Sequence, residues 1–260
     1  MFPFIYQFNY LNFMMRSNNT ILAYLAIAFY LVVLTGCEPP ISGSNEANPF
    51  IIKSSLELGN DRQLDYWLLL PENFDSTETY PAVLAIPPGK QSFDEIEWAI
   101  NLYYIRQSIQ RNWLVISPAA PQGIKFHEGS ESTIPLLFSE IEKNYHIEES
   151  RYHLAGISNG GISAFRLGTL YPGRFQSITV FPGMPTETDK NRLQNLAEIP
   201  VTMNVGALDA TEWVAETEQT VRILDSLGIA VSYKKWENDG HVIIGLTAAY
   251  LFDLFEEHRP

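Results

Sequence analysis

The stretch that decides the fold is RYHLAGISNGGISAFRLG, residues 151–168. An apolar run ends at Gly156, Ser158 follows among small residues, and a second, helix-like run begins at Asn159. The segment fits the pattern G-x-S-x-G at a strand–turn–helix junction, where a sharp turn exposes a reactive serine hydroxyl and leaves no room for a Cβ two residues to either side. The alternative is a glycine-rich turn without chemistry. The phosphate-binding patterns G-x-G-x-x-G and G-x-x-x-x-G-K-[ST] are both absent.

Short apolar runs alternate with longer amphipathic ones on both sides of this stretch. We expect strands at 51–56, 64–70, 82–86, 113–117, 152–156, 176–181, 201–206 and 231–236, and helices at 93–111, 133–145, 159–171, 211–227 and 241–258. Two leading strands followed by alternating strands and helices predict an α/β three-layer sandwich with a mostly parallel sheet of about eight strands. In such sheets ligands bind beyond the carboxyl ends of the strands, so chemistry is expected just after them.

A serine hydroxyl needs a neighbouring base to become a nucleophile, and His241 is the best candidate of the five histidines. It follows the last predicted strand, at the predicted start of the last helix, where the helix dipole disfavours an imidazolium and a carboxylate partner is needed. His127 also lies in a loop after a strand and is not excluded, but it precedes Ser158 in the chain.

The expected carboxylate is Asp209, three residues beyond Gly206 at the end of the preceding strand. It would accept a hydrogen bond from His241, set its tautomer and stabilise the imidazolium. Glu212 and Asp239 are rival acids, although the Asp239-Gly240 pair favours a turn. The alternative role for Asp209 is that of an N-cap for the following helix.

Four segments together resemble the esterase branch of the α/β-hydrolases. They are DYWLLLPENFDSTETYPAVLAIPPG, LAGISNGGISAF, VGALDATEW and NDGHVIIG. The resemblance is strongest to polyhydroxybutyrate-depolymerase and feruloyl-esterase-like enzymes and to their phospholipase/carboxylesterase relatives. It implies a serine carboxylesterase with the triad Ser158, Asp209 and His241, in the chain order of that superfamily.

The resemblance fails at one place, the segment after the third strand. These enzymes usually carry a His-Gly pair there, which helps to form the oxyanion hole, but this chain has Pro87-Pro88-Gly89-Lys90-Gln91. Proline has no N–H, so the expected backbone donors are Gly89, Lys90 or Gln91, together with Asn159 after the nucleophile. Because this histidine is missing, one alternative function is that of a protein that binds a ligand without turnover. The other alternative is a serine peptidase of the same fold.

The sequence indicates only the general class of the substrate. The connection 181–201 holds at most one short helix, so we expect no large cap domain and an open site suited to polysaccharide-linked or other small acyl esters. Phe126, Met184 and Trp213 lie in or near segments that follow strands and are candidate lining residues. The mechanism needs no organic cofactor or metal, and the single cysteine excludes a cysteine-based metal cluster.

The amino-terminal region predicts export and attachment to a membrane. Arg16 precedes a 14-residue apolar run at 21–34, and the ending Leu34-Thr35-Gly36-Cys37 resembles the lipobox of bacterial lipoproteins. We therefore expect a signal peptide over 1–37, with translation starting at Met14 or Met15, and lipidation of Cys37. A flexible tether over 38–50 and an α/β-hydrolase domain over 51–260 would follow, in the bacterial cell envelope facing the periplasm or exterior. The net charge of −13 disfavours nucleic acid as a partner.

Overall fold

The computed structural model describes residues 50–247 and 249–260. The predicted signal peptide, Cys37 and all of the predicted tether except Phe50 lie outside the described residues, so those expectations stay predictions. None of the helices in the described ranges combines the length and apolarity needed to span a bilayer.

Strands in the described part of the chain form an eight-stranded sheet and a separate two-stranded pair. The strands are β1 Ile51–Gly59, β2 Arg62–Leu69, β3 Thr79–Tyr80, β4 Ala82–Ile86, β5 Leu114–Pro118, β6 His146–Ile147, β7 Tyr152–Gly156, β8 Phe175–Val180, β9 Val201–Gly206 and β10 Val231–Trp236. The large sheet has the order β1-β2-β5-β4-β7-β8-β9-β10, and β3 pairs with β6. β2 runs antiparallel to both of its neighbours, and the remaining pairs are parallel. The predicted mostly parallel sheet is confirmed.

The helices fall between the strands, as the alternation predicts. The α-helices of the described chain are α1 Phe93–Ala99, α2 Ile105–Arg111, α3 Ile134–Ile141, α4 Asn159–Leu170, α5 Glu187–Lys190, α6 Thr211–Ser226 and α7 Tyr250–Glu256. A π-helical turn, Ile100–Tyr104, joins α1 to α2. The connection after β8 contains only α5 and the 3₁₀ turn Leu193–Leu196 in the described chain, so it carries no large cap.

Apolar side chains cover both faces of the sheet. In β4, Leu84 and Ile86 belong to one buried cluster with Phe165 of α4, while Val83 and Ala85 belong to a second cluster on the other face. A strand buried on both faces reads as a continuous apolar run, and β4 (AVLAI) is fully buried. Two helical layers on one central sheet give the three-layer sandwich.

The last predicted helix is wrong over half its length. Residues 241–242 form a bend, Ile243 is extended, Ile244–Leu246 is a single 3₁₀ turn, and α7 begins only at Tyr250. Gly245 explains part of the break: a Cβ there would lie 2.1 Å from the ring of Trp236, so this segment packs closely against the end of β10. His241 therefore lies in a loop, and the helix dipole expected to act on it is absent at this point of the described chain.

Candidate active site

Ser158 lies at the turn between β7 and α4 with backbone angles φ 56° and ψ −118°. This conformation is unfavourable for any residue other than glycine and costs about 1–3 kcal/mol. Two hydrogen bonds hold it: the Ser158 N–H donates to Pro182 O at 2.8 Å, and its carbonyl accepts from the Ile162 N–H at 3.1 Å. The strained turn thus presents the hydroxyl at the carboxyl edge of the sheet.

The glycines around Ser158 are required by close backbone contacts. A Cβ on Gly156 would lie 2.2 Å from Gly160 O, and one on Gly160 would lie 2.2 Å from Ile86 O. A Cβ on Gly161 would lie 2.4 Å from Pro182 O. Because each obstacle is backbone rather than a movable side chain, α4 can approach β4, β7 and the segment after β8 this closely only without side chains at these positions.

We expect Gly160→Ala to destabilise the fold by about 3 kcal/mol, because the added methyl overlaps the carbonyl of β4 and forces the backbone apart. The melting temperature should then fall by roughly 6–12 °C in calorimetry. Gly173→Ala is the matched control, since a Cβ at Gly173 meets nothing within 4 Å. Equal melting temperatures for the two variants would contradict the packing argument.

The structure brings Ser158, His241 and Asp209 together. His241 Nε2 lies 2.8 Å from Ser158 Oγ, and His241 Nδ1 lies 2.8 Å from Asp209 Oδ2. The Asp209 side chain is 3% exposed, and that of His241 is 39% exposed. A buried carboxylate therefore orients a solvent-accessible imidazole, whose other nitrogen faces the serine hydroxyl.

The loops that carry Asp209 and His241 are packed on each other at the ends of β9 and β10. A Cβ on Gly206 would lie 2.1 Å from Gly240 O, and the Leu208 N–H donates to Asp239 O at 3.0 Å. These backbone contacts hold the two loops against each other and so bring the side chains of Asp209 and His241 within reach of one another.

The structure does not support the alternative roles of Asp209, Asp239 and Glu212. The N-cap of α6 is Ala210, without a side-chain cap, so Asp209 is not the cap. Asp209 Oδ1 accepts instead from the Ala210 N–H at 2.7 Å. Asp239 accepts from the Gly245 N–H at 3.0 Å and shapes the loop around His241, and Glu212 is exposed.

Two of the four expected oxyanion donors have other acceptors. The Gln91 N–H donates to Pro88 O at 2.9 Å, so its assignment to the oxyanion hole is wrong. The Lys90 N–H faces Glu95 Oε1 at 3.4 Å, a long hydrogen bond. The N–H groups of Gly89 and Asn159 have no protein acceptor within residues 50–247 and 249–260, and Asn159 is the first residue of a helix, where the N–H has no intrahelical partner.

The three candidate lining residues have different environments. Phe126 is 0% exposed and packs in the core, so its assignment to an open substrate pocket is wrong. Met184 is half-buried in the segment after β8. Trp213, near the start of α6, is half-buried and meets the His241 ring edge-on, with ring centroids 4.8 Å apart.

The sequence did not predict a buried polar cluster that lies beside the turn at Ser158. It consists of Gln91, Ser163 and His127: Gln91 Nε2 donates to Ser163 Oγ, and His127 Nδ1 lies against the same oxygen, both at 2.8 Å. Burial lowers the pKa of His127 below its ordinary value, which favours the neutral ring. Periodicity cannot reveal such a cluster, because its members come from three separate segments.

Other proteins share this arrangement of sheet and helices. No family model matches the chain. Residues over a 130-residue span are 26% identical to dipeptidyl-peptidase 5 of Porphyromonas gingivalis, covering 45% of this chain and 19% of that protein. A thermostable esterase superposes with a TM-score of 0.61 at 17% identity, covering 73% of this chain and 55% of that one. An S-formylglutathione hydrolase from Agrobacterium tumefaciens gives 0.63 at 13% identity, covering 82% and 96% of the two chains.

This protein has the α/β-hydrolase fold. Its chain spans about a fifth of the peptidase that it matches in sequence and about half of the thermostable esterase. Within the described residues, no group of three or more histidine, cysteine, aspartate or glutamate side chains is arranged to hold a metal ion. The candidate site consists of the three side chains at the sheet edge and the backbone donors beside them.

Proposed function

We propose that the protein is a serine carboxylesterase in which Ser158 forms an acyl-enzyme. The observation that carries the proposal is the pair of 2.8 Å contacts that joins Ser158 Oγ to His241 and His241 to Asp209. A hydroxyl is a weak nucleophile alone, and an oriented neutral imidazole at hydrogen-bonding distance is the group that activates it.

In the first half-reaction, His241 Nε2 takes the hydroxyl proton as Ser158 Oγ attacks the ester carbonyl. The imidazolium that forms is stabilised by the carboxylate of Asp209. His241 then gives the proton to the leaving oxygen of the ester as the bond between that oxygen and the carbonyl carbon breaks. The alcohol leaves, and the acyl group remains on Ser158. In the second half-reaction, His241 activates a water that attacks the acyl-enzyme, and the carboxylic acid leaves as the serine hydroxyl is restored.

The negative charge that develops on the carbonyl oxygen needs donors in place before the reaction. The N–H groups of Gly89 and Asn159 are the proposed pair, since neither has an acceptor in the described chain. Asn159 also begins α4, so the helix dipole favours an anion at this point.

The chemistry of the leaving group favours an ester over a peptide as the proposed substrate. An alcohol leaves as a weaker base than an amine, so an ester requires less of the acid that protonates the leaving group. The absence of a cap after β8 in the described chain leaves the serine accessible to small acyl esters, including those attached to a polymer such as a polysaccharide. The sequence likeness to dipeptidyl-peptidase 5 supports the second candidate, a serine peptidase.

A matched pair of substrates separates the two candidates. We expect the protein to hydrolyse p-nitrophenyl acyl esters with a kcat/KM at least 10³-fold above that for p-nitroanilides of the same acyl group, and to react with a fluorophosphonate probe. Feruloyl esters and acetylated sugars in the same assay define the acyl group. Faster cleavage of dipeptidyl anilides would establish the peptidase instead. A protein that neither hydrolyses nor reacts with the probe would be a binding protein, and the proposal would fail.

A further inference from the structure

We propose that the side chains of Asn159 and Gln91 are positioning residues that hold the oxyanion donors in place of the histidine missing after β4. The inference rests on the proposed function and assigns these two side chains a role that the triad does not include. The turn 88–91, which carries Gly89, and the turn at Ser158 come from distant parts of the chain, so the relative position of their N–H groups depends on contacts that hold one segment against the other.

Asn159 makes the direct connection. Its side-chain Nδ2 donates to Gly89 O at 2.8 Å, across 70 residues of chain. Gly89 has φ +60°, and a glycine has many accessible conformations when it is not held. Asn159 thus supplies one oxyanion donor through its main chain and fixes the residue that supplies the other through its side chain.

Gln91 makes a second connection from inside the protein. Its side chain is 0% exposed, and Nε2 donates to Asn159 O at 3.2 Å and to Ser163 Oγ at 2.8 Å, while Oε1 accepts from the Phe126 N–H at 3.0 Å. Its main-chain N–H donates to Pro88 O and closes the turn 88–91. Its main-chain carbonyl accepts from the Ala120 N–H at 2.7 Å. All its main-chain and side-chain polar groups are therefore engaged.

The backbone of Gln91 shows that this arrangement is imposed. Its φ is +59°, a conformation that costs a non-glycine residue free energy, and the surrounding hydrogen bonds offset that cost. Oxyanion donors stabilise a transition state only when they are already aimed at the developing charge. Fixing Gly89 and Asn159 to each other before the substrate arrives is a way to achieve this without the usual histidine.

The test compares two asparagines that make the same contact. Asn159→Ala removes the Nδ2 donor and keeps the main-chain N–H. Asn195→Ala is the matched control, because Asn195 Nδ2 donates to Thr169 O, also at 2.8 Å, at the other end of α4. We expect Asn159→Ala to lower kcat for a p-nitrophenyl ester by about 10- to 100-fold with KM within about threefold, and Asn195→Ala to leave kcat within about twofold.

A transition-state analogue gives the readout that loss of stability alone would not change. An alkyl boronic acid forms a tetrahedral adduct on Ser158 with an oxygen at the oxyanion position, so its affinity for Asn159→Ala should fall in proportion to kcat/KM. Asn159→Asp should lose more activity than Asn159→Ala, because its carboxylate repels both Gly89 O and the developing oxyanion, while the favourable position of an acidic residue at a helix N-terminus offsets part of the loss of stability. Gln91→Glu, which removes both Nε2 donors, should lower kcat in the same direction.

The outcomes separate this inference from the function on which it rests. A wild-type protein that resists the fluorophosphonate and hydrolyses no ester overturns both. An active wild type with Asn159→Ala equally active, or with unchanged boronate affinity, overturns the inference alone. Equal losses in Asn159→Ala and Asn195→Ala would also overturn it, since a general loss of stability would then explain both.

Discussion

Ser158→Ala is expected to reduce kcat for ester hydrolysis by a factor of about 10⁶, to the level left by substrate binding and the oxyanion donors alone. Removing Oγ removes the atom that bonds to the acyl group, and His241 alone can then only activate water. The fold should persist, because alanine keeps the Cβ and the main-chain bonds to Pro182 O and from Ile162 N are unchanged. Stopped-assay rates, with mass spectrometry of the fluorophosphonate adduct, measure the effect.

The control for Ser158→Ala is Ser139→Ala. Ser139 is an exposed serine on α3 whose hydroxyl donates only to Pro135 O, at 3.0 Å. The control should retain full activity and full labelling, while Ser158→Ala should acquire no adduct. Labelling of Ser158→Ala at another residue, with hydrolysis intact, would show that the nucleophile lies elsewhere.

Asp209→Asn is expected to lower kcat by about 10⁴ with little change in the fold. The amide has nearly the same shape, but it carries no charge to stabilise the imidazolium of His241. Its NH₂ group can also face Nδ1 and select the tautomer in which Nε2 carries the proton, which prevents Nε2 from accepting the Ser158 proton. The loss should appear in kcat for several esters alike, because Asp209 orients the base and does not contact the substrate.

Asp239→Asn and Glu212→Gln test the rival acids with the same chemical change. Asp239 holds the loop of His241 through the Gly245 N–H, and an amide oxygen can accept that bond as well. Both variants should therefore keep kcat within about threefold of wild type. A 10³-fold loss in Asp239→Asn with an active Asp209→Asn would reassign the acid.

The central part of the sheet was predictable because its strands are rich in apolar residues, and a run such as AVLAI is typical of a strand buried on both faces. The predicted strands 82–86, 152–156, 201–206 and 231–236 have the bounds found in the structure. The close approach of Ser158, Asp209 and His241 was predictable for a related reason: all three follow strands that run in the same direction, so they must reach the same edge.

The details that failed depend on contacts between distant segments. The apolar run VIIGLTAAYLFDLF predicts a helix that begins near His241, but Gly245 packs closely on Trp236 and the helix begins only at Tyr250. The position of Phe126 after β5 predicts a place at the site, whereas its whole ring is buried in the core. Nothing in the sequence indicates that Gln91 is buried, because a polar residue in a loop is normally exposed.

The position of β10 has a consequence for how this protein loses its proposed activity. Within the described sheet β10 is an edge strand, paired only with β9, and most of its side chains are partly or fully exposed, whereas β7 is enclosed by strands on both sides. Fraying at an edge requires less free energy than opening the centre of a sheet. Because His241 follows this edge strand, we expect partial unfolding of β10 to displace the imidazole from Ser158 before the hydrophobic core unfolds, so that the proposed activity is lost first.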